Sequence, residues 1–158
     1  KMYAGADGEA IPEEFREARN KGLYYLQFSG KTENEMRKKL AEQEFSPASV
    51  EDAVLFLKHY RYLDDEDYAR RYVEKNDHKK SIRQMKFDLR QKGIGDDLVE
   101  MVFEDMEVDE PSQILGLLRK KNYDPEEPDP VKRQKIYAFL ARKGFSYEAI
   151  NSAMKQWE

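Results

Sequence analysis

Cysteine is absent from the 158 residues, histidine occurs only twice, as His59 and His78, and tryptophan only once. Without a thiol the chain can form no disulfide, no thiolate metal site and no cysteine nucleophile, which is compatible with a reducing cytoplasm. The two histidines sit in charged surroundings with no second ligand at metal spacing, so they read as surface or helix-end residues rather than as zinc ligands or a triad base. A Gly-rich phosphate loop is also missing, because Gly93-Ile94-Gly95 lacks both the downstream Gly and the preceding strand that such a loop needs. The carboxylate pairs Asp64-Asp65 and Asp96-Asp97 stand where helices begin, where Asp caps free N–H groups and suits the positive end of the dipole. The expectation is a protein with no catalytic activity, no cofactor and no metal.

Long apolar runs are lacking too. None approaches the roughly 20 residues of a membrane span, and residues 1–11 have no apolar core like that of a signal peptide. These observations predict a cytoplasmic protein without a membrane role, preceded by a flexible tail over residues 1–12.

Hydrophobic residues make up 39% of the chain and charged residues 38%, which is very polar for a folded protein, yet ten Tyr and eight Phe argue against disorder. Together these values suggest several small cores with much surface. A repeat supplies them. With Leu40, Leu89 and Leu140 in one column, Met36, Met85 and Ile136 fall one helical turn earlier, and Phe45, Ile94 and Phe145 fall five residues later. Each copy then continues at i, i+3, i+4, i+7: Val50/Ala53/Val54/Leu57, Val99/Val102/Phe103/Met106 and Ile150/Ala153/Met154/Trp157. That is the apolar stripe of a core-facing helix, three times over.

The junctions agree with two short helices per column set. Gly93 and Gly144 stand where a left-handed C-cap is wanted, Glu44 replaces them in the first copy, and Ser46-Pro47, Asp96 and Ser146 are candidate helix starts. A further helix precedes each pair, over about 13–28, 65–76 and 111–121; Gly22 weakens the first of these. The proline-rich acidic stretch 124–130 is a stiff loop no helix can cross. No stretch alternates long enough to make a strand. The predicted fold is all-α: nine helices in three tandem three-helix repeats over 13–61, 62–108 and 109–158, an elongated, curved and monomeric molecule.

Net charge is −4, but its distribution is uneven. Between residues 69 and 92 lie Arg70, Arg71, Lys75, Lys79, Lys80, Arg83, Lys86, Arg90 and Lys92, against only Glu74, Asp77 and Asp88. Arg83, Lys86 and Arg90 share one helix face, opposite Met85 and Leu89. A second basic group, Arg119, Lys120, Lys121, Lys132, Arg133, Lys135, Arg142 and Lys143, flanks the acidic loop. A solvated helix face is the ordinary reading of such charges; an electrostatic contact for phosphates or an acidic protein surface is the other. Tyr60, Tyr62, Tyr68 and Tyr72 cluster around a helix start, where packing is favoured over base stacking because Tyr68 and Tyr72 share the i, i+4 apolar face.

Tyr62-Leu63-Asp64-Asp65, followed by Tyr68-Ala69 and Tyr72, resembles the signature of the RecX regulatory family. So do Met36-Arg37-Lys38-Lys39-Leu40, Lys92-Gly93-Ile94 and Phe139-Leu140-Ala141-Arg142-Lys143-Gly144-Phe145-Ser146, in the family's order from about Ala18 to the end. Arg61 stands where the family commonly has Gly. The resemblance implies a cytoplasmic regulator acting in recombination, DNA repair and the SOS response. Such a protein binds the RecA recombinase along the groove of its filament on single-stranded DNA, restraining strand exchange, ATP hydrolysis and co-protease activity, and some members bind DNA themselves. An architectural DNA-binding protein acting without RecA is the alternative.

Overall fold

A computed structural model describes residues 11–157; the expected tail therefore lies, apart from its last two residues, outside the described residues. Nine α-helices and no strand occur among them: α1 (Glu13–Leu26), α2 (Glu33–Glu42), α3 (Pro47–His59), α4 (Asp65–Asn76), α5 (Ile82–Gln91), α6 (Asp96–Met106), α7 (Glu110–Lys120), α8 (Pro130–Arg142) and α9 (Tyr147–Lys155). All-α architecture and the tandem repeat are as the apolar spacing predicts.

The helices begin where side chains satisfy their free N–H groups. Thr32 and Glu35 form a reciprocal capping box at α2, Ser46 caps α3 with Pro47 in its first turn, and Ser146 caps α9. Asp64 accepts from the Asp67 N–H at the start of α4. Asp96 differs from expectation. It is the first helical residue of α6, and its carboxylate accepts from Arg90 Nε at 2.7 Å.

By internal contacts the chain divides into two units. One comprises the residues up to Tyr68 with Gln91–Gly95; the other comprises Ala69–Arg90 and the residues from Asp96 onward.

In the first unit α1, α2 and α3 enclose Ala18, Met36, Leu40, Val50, Ala53, Val54, Leu57 and Leu63. Gly22, expected to weaken α1, is buried against α3: a Cβ there would come within 2.7 Å of Leu57 Cδ1, so glycine sets the close approach of the two helices. Arg19 lies under the same contact, with Nε and Nη2 on the Asp52 carboxylate at 2.7 and 2.8 Å and its guanidinium 4.6 Å from the centre of the Phe56 ring.

In the second unit Ile114, Leu117, Leu118, Leu140, Phe145, Ile150 and Ala153 form the core of α7–α9. Val73, Met85, Leu89, Val99 and Val102 are fully buried on α4, α5 and α6.

One junction occurs in each unit. In the first, the turn Lys92-Gly93 seats on the start of α2, where Thr32 Oγ1 donates to the Lys92 carbonyl at 2.7 Å. In the second, the turn Lys143-Gly144 seats on the start of α5. The Ser81 N–H donates to the Lys143 carbonyl at 3.1 Å, and Arg83 Nη2 donates to the Gly144 carbonyl at 2.8 Å. Thr32 and Ser81 are fully buried beneath these turns.

Candidate functional site

The two basic groups picked out in the sequence differ in what surrounds them. On α4 and α5 the charges are largely met within the fold. Arg70 pairs with Asp105 at 2.6 Å, and Lys86 with Glu100 at 2.8 Å. Arg90 bridges Asp96 and Glu100 at 2.7 and 2.9 Å. Arg83 is bound to the Gly144 carbonyl and Lys92 faces Glu35 at 3.8 Å; Arg71 is exposed on α4.

Lys80 belongs to a half-buried polar network. Its ammonium donates to Asp88 at 2.8 Å and to the Tyr72 hydroxyl at 2.9 Å, Tyr72 donates to the same carboxylate, and Gln84 completes it at 2.9 Å. Burial alone would raise the Asp88 carboxyl, but the hydrogen bonds from Lys80, Tyr72 and Gln84 outweigh it and hold it below the ordinary range. The bond to Asp88 keeps the Lys80 ammonium above its ordinary value. Arg70, Lys80, Arg83, Lys86 and Arg90, read from the sequence as either a solvated face or a contact for phosphates, are thus held by partners within the fold.

The group on α7 and α8 is different. Among the described residues no ion pair involves Arg119, Lys120, Lys121, Lys132, Arg133, Lys135, Arg142 or Lys143, whereas in the first group that holds only for Lys75 and Lys79 among the residues not already named. Lys121 and Lys143 lie against the Phe139 ring, 4.3 and 4.8 Å from its centre, and the Arg119 guanidinium lies 5.9 Å from that of Trp157. Arg133 donates to the Glu127 carbonyl. Burial and the like charges of Lys120, Lys121, Lys79 and Lys80 push the Lys143 ammonium below its ordinary value. Positive charge is therefore concentrated here without ion pairs, although Asp124 and Glu127 line one of the depressions beside it, an arrangement suited to attracting an anionic surface.

The Tyr-Leu-Asp-Asp stretch builds the fold instead. Leu63 and Ala69 are buried, and Asp64 caps α4. Asp65 accepts from the Glu33 N–H at 2.9 Å, although burial pushes its carboxyl above the ordinary range. Tyr68 is half-buried beside Lys92. Tyr72 is half-buried and its hydroxyl belongs to the network of Asp88 and Lys80, while Tyr60 and Tyr62 are more than half exposed. Arg61 has φ of +59°, so the backbone keeps a left-handed conformation there despite the side chain, which accounts for a preference for Gly at such a position. His59 and His78 are exposed, and no three potential metal ligands converge among the described residues. No helix among them is long and apolar enough to cross a membrane.

Two family models match the chain: the first three-helix domain of RecX over residues 18–57 and the third over residues 109–154. The regulatory protein RecX of Clostridium perfringens (strain 13 / Type A) is 31% identical over 95% of this chain and 75% of its own length. The chain belongs to the RecX family. A crystal structure of RecX from Lactobacillus salivarius has the same fold, with a TM-score of 0.76 over 92% of this chain and 97% of that one at 22% identity. A second crystal structure, of a regulatory protein RecX, gives 0.70 over 90% and 72% at 26% identity. These relatives are regulatory proteins, and RecX architecture is the tandem helical repeat seen here. Sequence reasoning missed the difference between the two basic groups. Its only sequence signal was the acid content of α6, whose Asp96, Glu100 and Asp105 are the partners of α4 and α5.

Proposed function

We propose that this chain is a non-catalytic, cytoplasmic regulator that binds the RecA recombinase on single-stranded DNA, lies along the filament groove, and inhibits strand exchange, ATP hydrolysis and co-protease activity. Membership of the RecX family supports the partner. The observation that carries the contact surface is the cationic cluster of α7 and α8, whose basic side chains make no ion pair among the described residues and whose Lys121, Lys135 and Arg142 are exposed. Such a surface meets acidic filament surfaces or DNA phosphates, and several modest contacts along a repeat add through effective concentration. Arg83, Lys86 and Arg90 act within the fold in this reading. ATP hydrolysis belongs to the partner, and the protein acts as a monomer without metal or cofactor.

The second reading, an architectural DNA-binding protein acting without RecA, draws on the same cluster. Titrating the chain against naked single-stranded DNA and against RecA–DNA filaments separates them. Filament binding well above that to naked DNA, with RecA ATPase inhibited and no nucleotide turnover by the chain alone, is the expected result. Equal affinity for both, with RecA activity unchanged, favours the architectural reading.

A further inference from the structure

The starts of α2 and α5 are covered by a turn of the chain, and Thr32 and Ser81 beneath them are fully buried. The start of α8 carries no such cover. Its first six residues, Pro130 to Lys135, are all exposed, Val131 to 60%, and only Leu140 of the helix is fully buried. Two depressions of about 300 and 290 Å³ run along this helix, sharing Lys121, Lys135 and Ile136 as walls. Ala138, Phe139 and Arg142 complete the lining of the second, and Lys132 and Arg133 add basic groups to the first.

We infer that this groove along α8 is a docking site for an acidic polypeptide segment carrying apolar anchor residues, with carboxylates on Lys121, Lys135 and Arg142 and the anchors on Ile136 and Ala138. The choice of polypeptide over nucleic acid rests on two features. Phe139 has lysine ammonium groups against it at 4.3 and 4.8 Å, so its ring offers no open face for base stacking, and the apolar lining left for a ligand is aliphatic, Ile136 and Ala138, which suits a peptide side chain. Asp124 and Glu127 also line one end of the groove. A phosphodiester chain carries charge at every unit and would be repelled there, while a polypeptide can place a neutral residue at that point. Only the placing of this segment on the recombinase rests on the proposed function.

The test uses the full chain and three labelled probes: a short acidic peptide with spaced phenylalanines, the same peptide with serines in their place, and an oligothymidylate of equal length. Anisotropy titrations should show the first peptide bound at least about tenfold more tightly than the other two. Lys121→Glu with Lys135→Glu should remove that binding while the circular dichroism spectrum is unchanged; these side chains are exposed and in no ion pair, so folding should survive. Equal binding of both peptides, preference for the oligonucleotide, or no binding at low salt would each overturn the inference. Filament binding by the chain without peptide binding rejects the groove and leaves the proposed function standing; peptide binding without filament binding does the reverse.

Discussion

At residue 93 and again at residue 144 the backbone takes a positive φ, +87° and +100°, while a helix start lies too near for a Cβ. An added methyl would come within 2.3 Å of Asn34 Cβ at the first and 2.5 Å of Ser81 Oγ at the second. Gly93→Ala and Gly144→Ala combine left-handed strain with a collision, and each should cost at least about 2 kcal/mol in urea denaturation. Glu44, at φ of +64°, fills the same place in the first copy. No seated turn is described for it, so Glu44→Gly should change stability by less than about 1 kcal/mol in either direction. Asp52→Ala leaves Arg19 buried without its carboxylate and should cost about 2 kcal/mol, less than for a fully buried pair because Asp52 keeps some exposure. The polar network around Asp88 contributes a pH dependence to stability. The Asp88 carboxyl is depressed in the fold, so its contribution is present above the ordinary carboxylate range and lost as pH falls through the depressed value. Lys80 is raised, so its contribution is present below the ordinary lysine value and lost as pH rises through the raised one. Asp88→Asn should flatten the acid limb of a melting-temperature profile, while an unchanged limb would place the dependence elsewhere.

Helix starts in this protein do two jobs in some places and one in others. Thr32 caps α2, closes a capping box with Glu35 and donates to the Lys92 carbonyl beneath a seated turn. Ser146 caps α9 through the Ala149 N–H and is exposed. Thr32→Ala should therefore cost about 2–3 kcal/mol against about 1 kcal/mol for Ser146→Ala, measured by chemical denaturation. The helices themselves were legible because each copy repeats its apolar columns and because Ser, Thr, Pro and Gly mark the ends. Three local features were not. Gly22 reads as a weak point in a single helix, since nothing in its neighbourhood announces that Leu57 will lie against it. Asp96 was expected to cap α6 and instead pairs with Arg90, because a carboxylate near a helix start has two outlets and only packing chooses between them. Gly93 and Gly144 were legible as C-caps, but the close approach of Asn34 and Ser81 is a non-local fact.

Across the whole molecule, the proposed function makes charge decide where a partner is held. The sequence revealed two basic groups but not which of them the fold neutralises, because pairing depends on α6 presenting Asp96, Glu100 and Asp105 to α4 and α5. Reversing Lys86 and Arg90 to Glu would set them against Glu100 and Asp96, so that variant should lose about 1 kcal/mol of stability or more. Reversing Lys121, Lys135 and Arg142 should leave melting nearly unchanged, since no ion pair among the described residues is broken. The most direct measurement is binding of the chain to RecA–single-stranded DNA filaments at two salt concentrations, for the wild type and for the Lys121→Glu, Lys135→Glu, Arg142→Glu variant, with melting curves alongside. The account predicts a loss of at least about tenfold in filament affinity for the variant, a weaker salt dependence of what remains, and an unchanged melting temperature. Equal filament binding by the two proteins would contradict it.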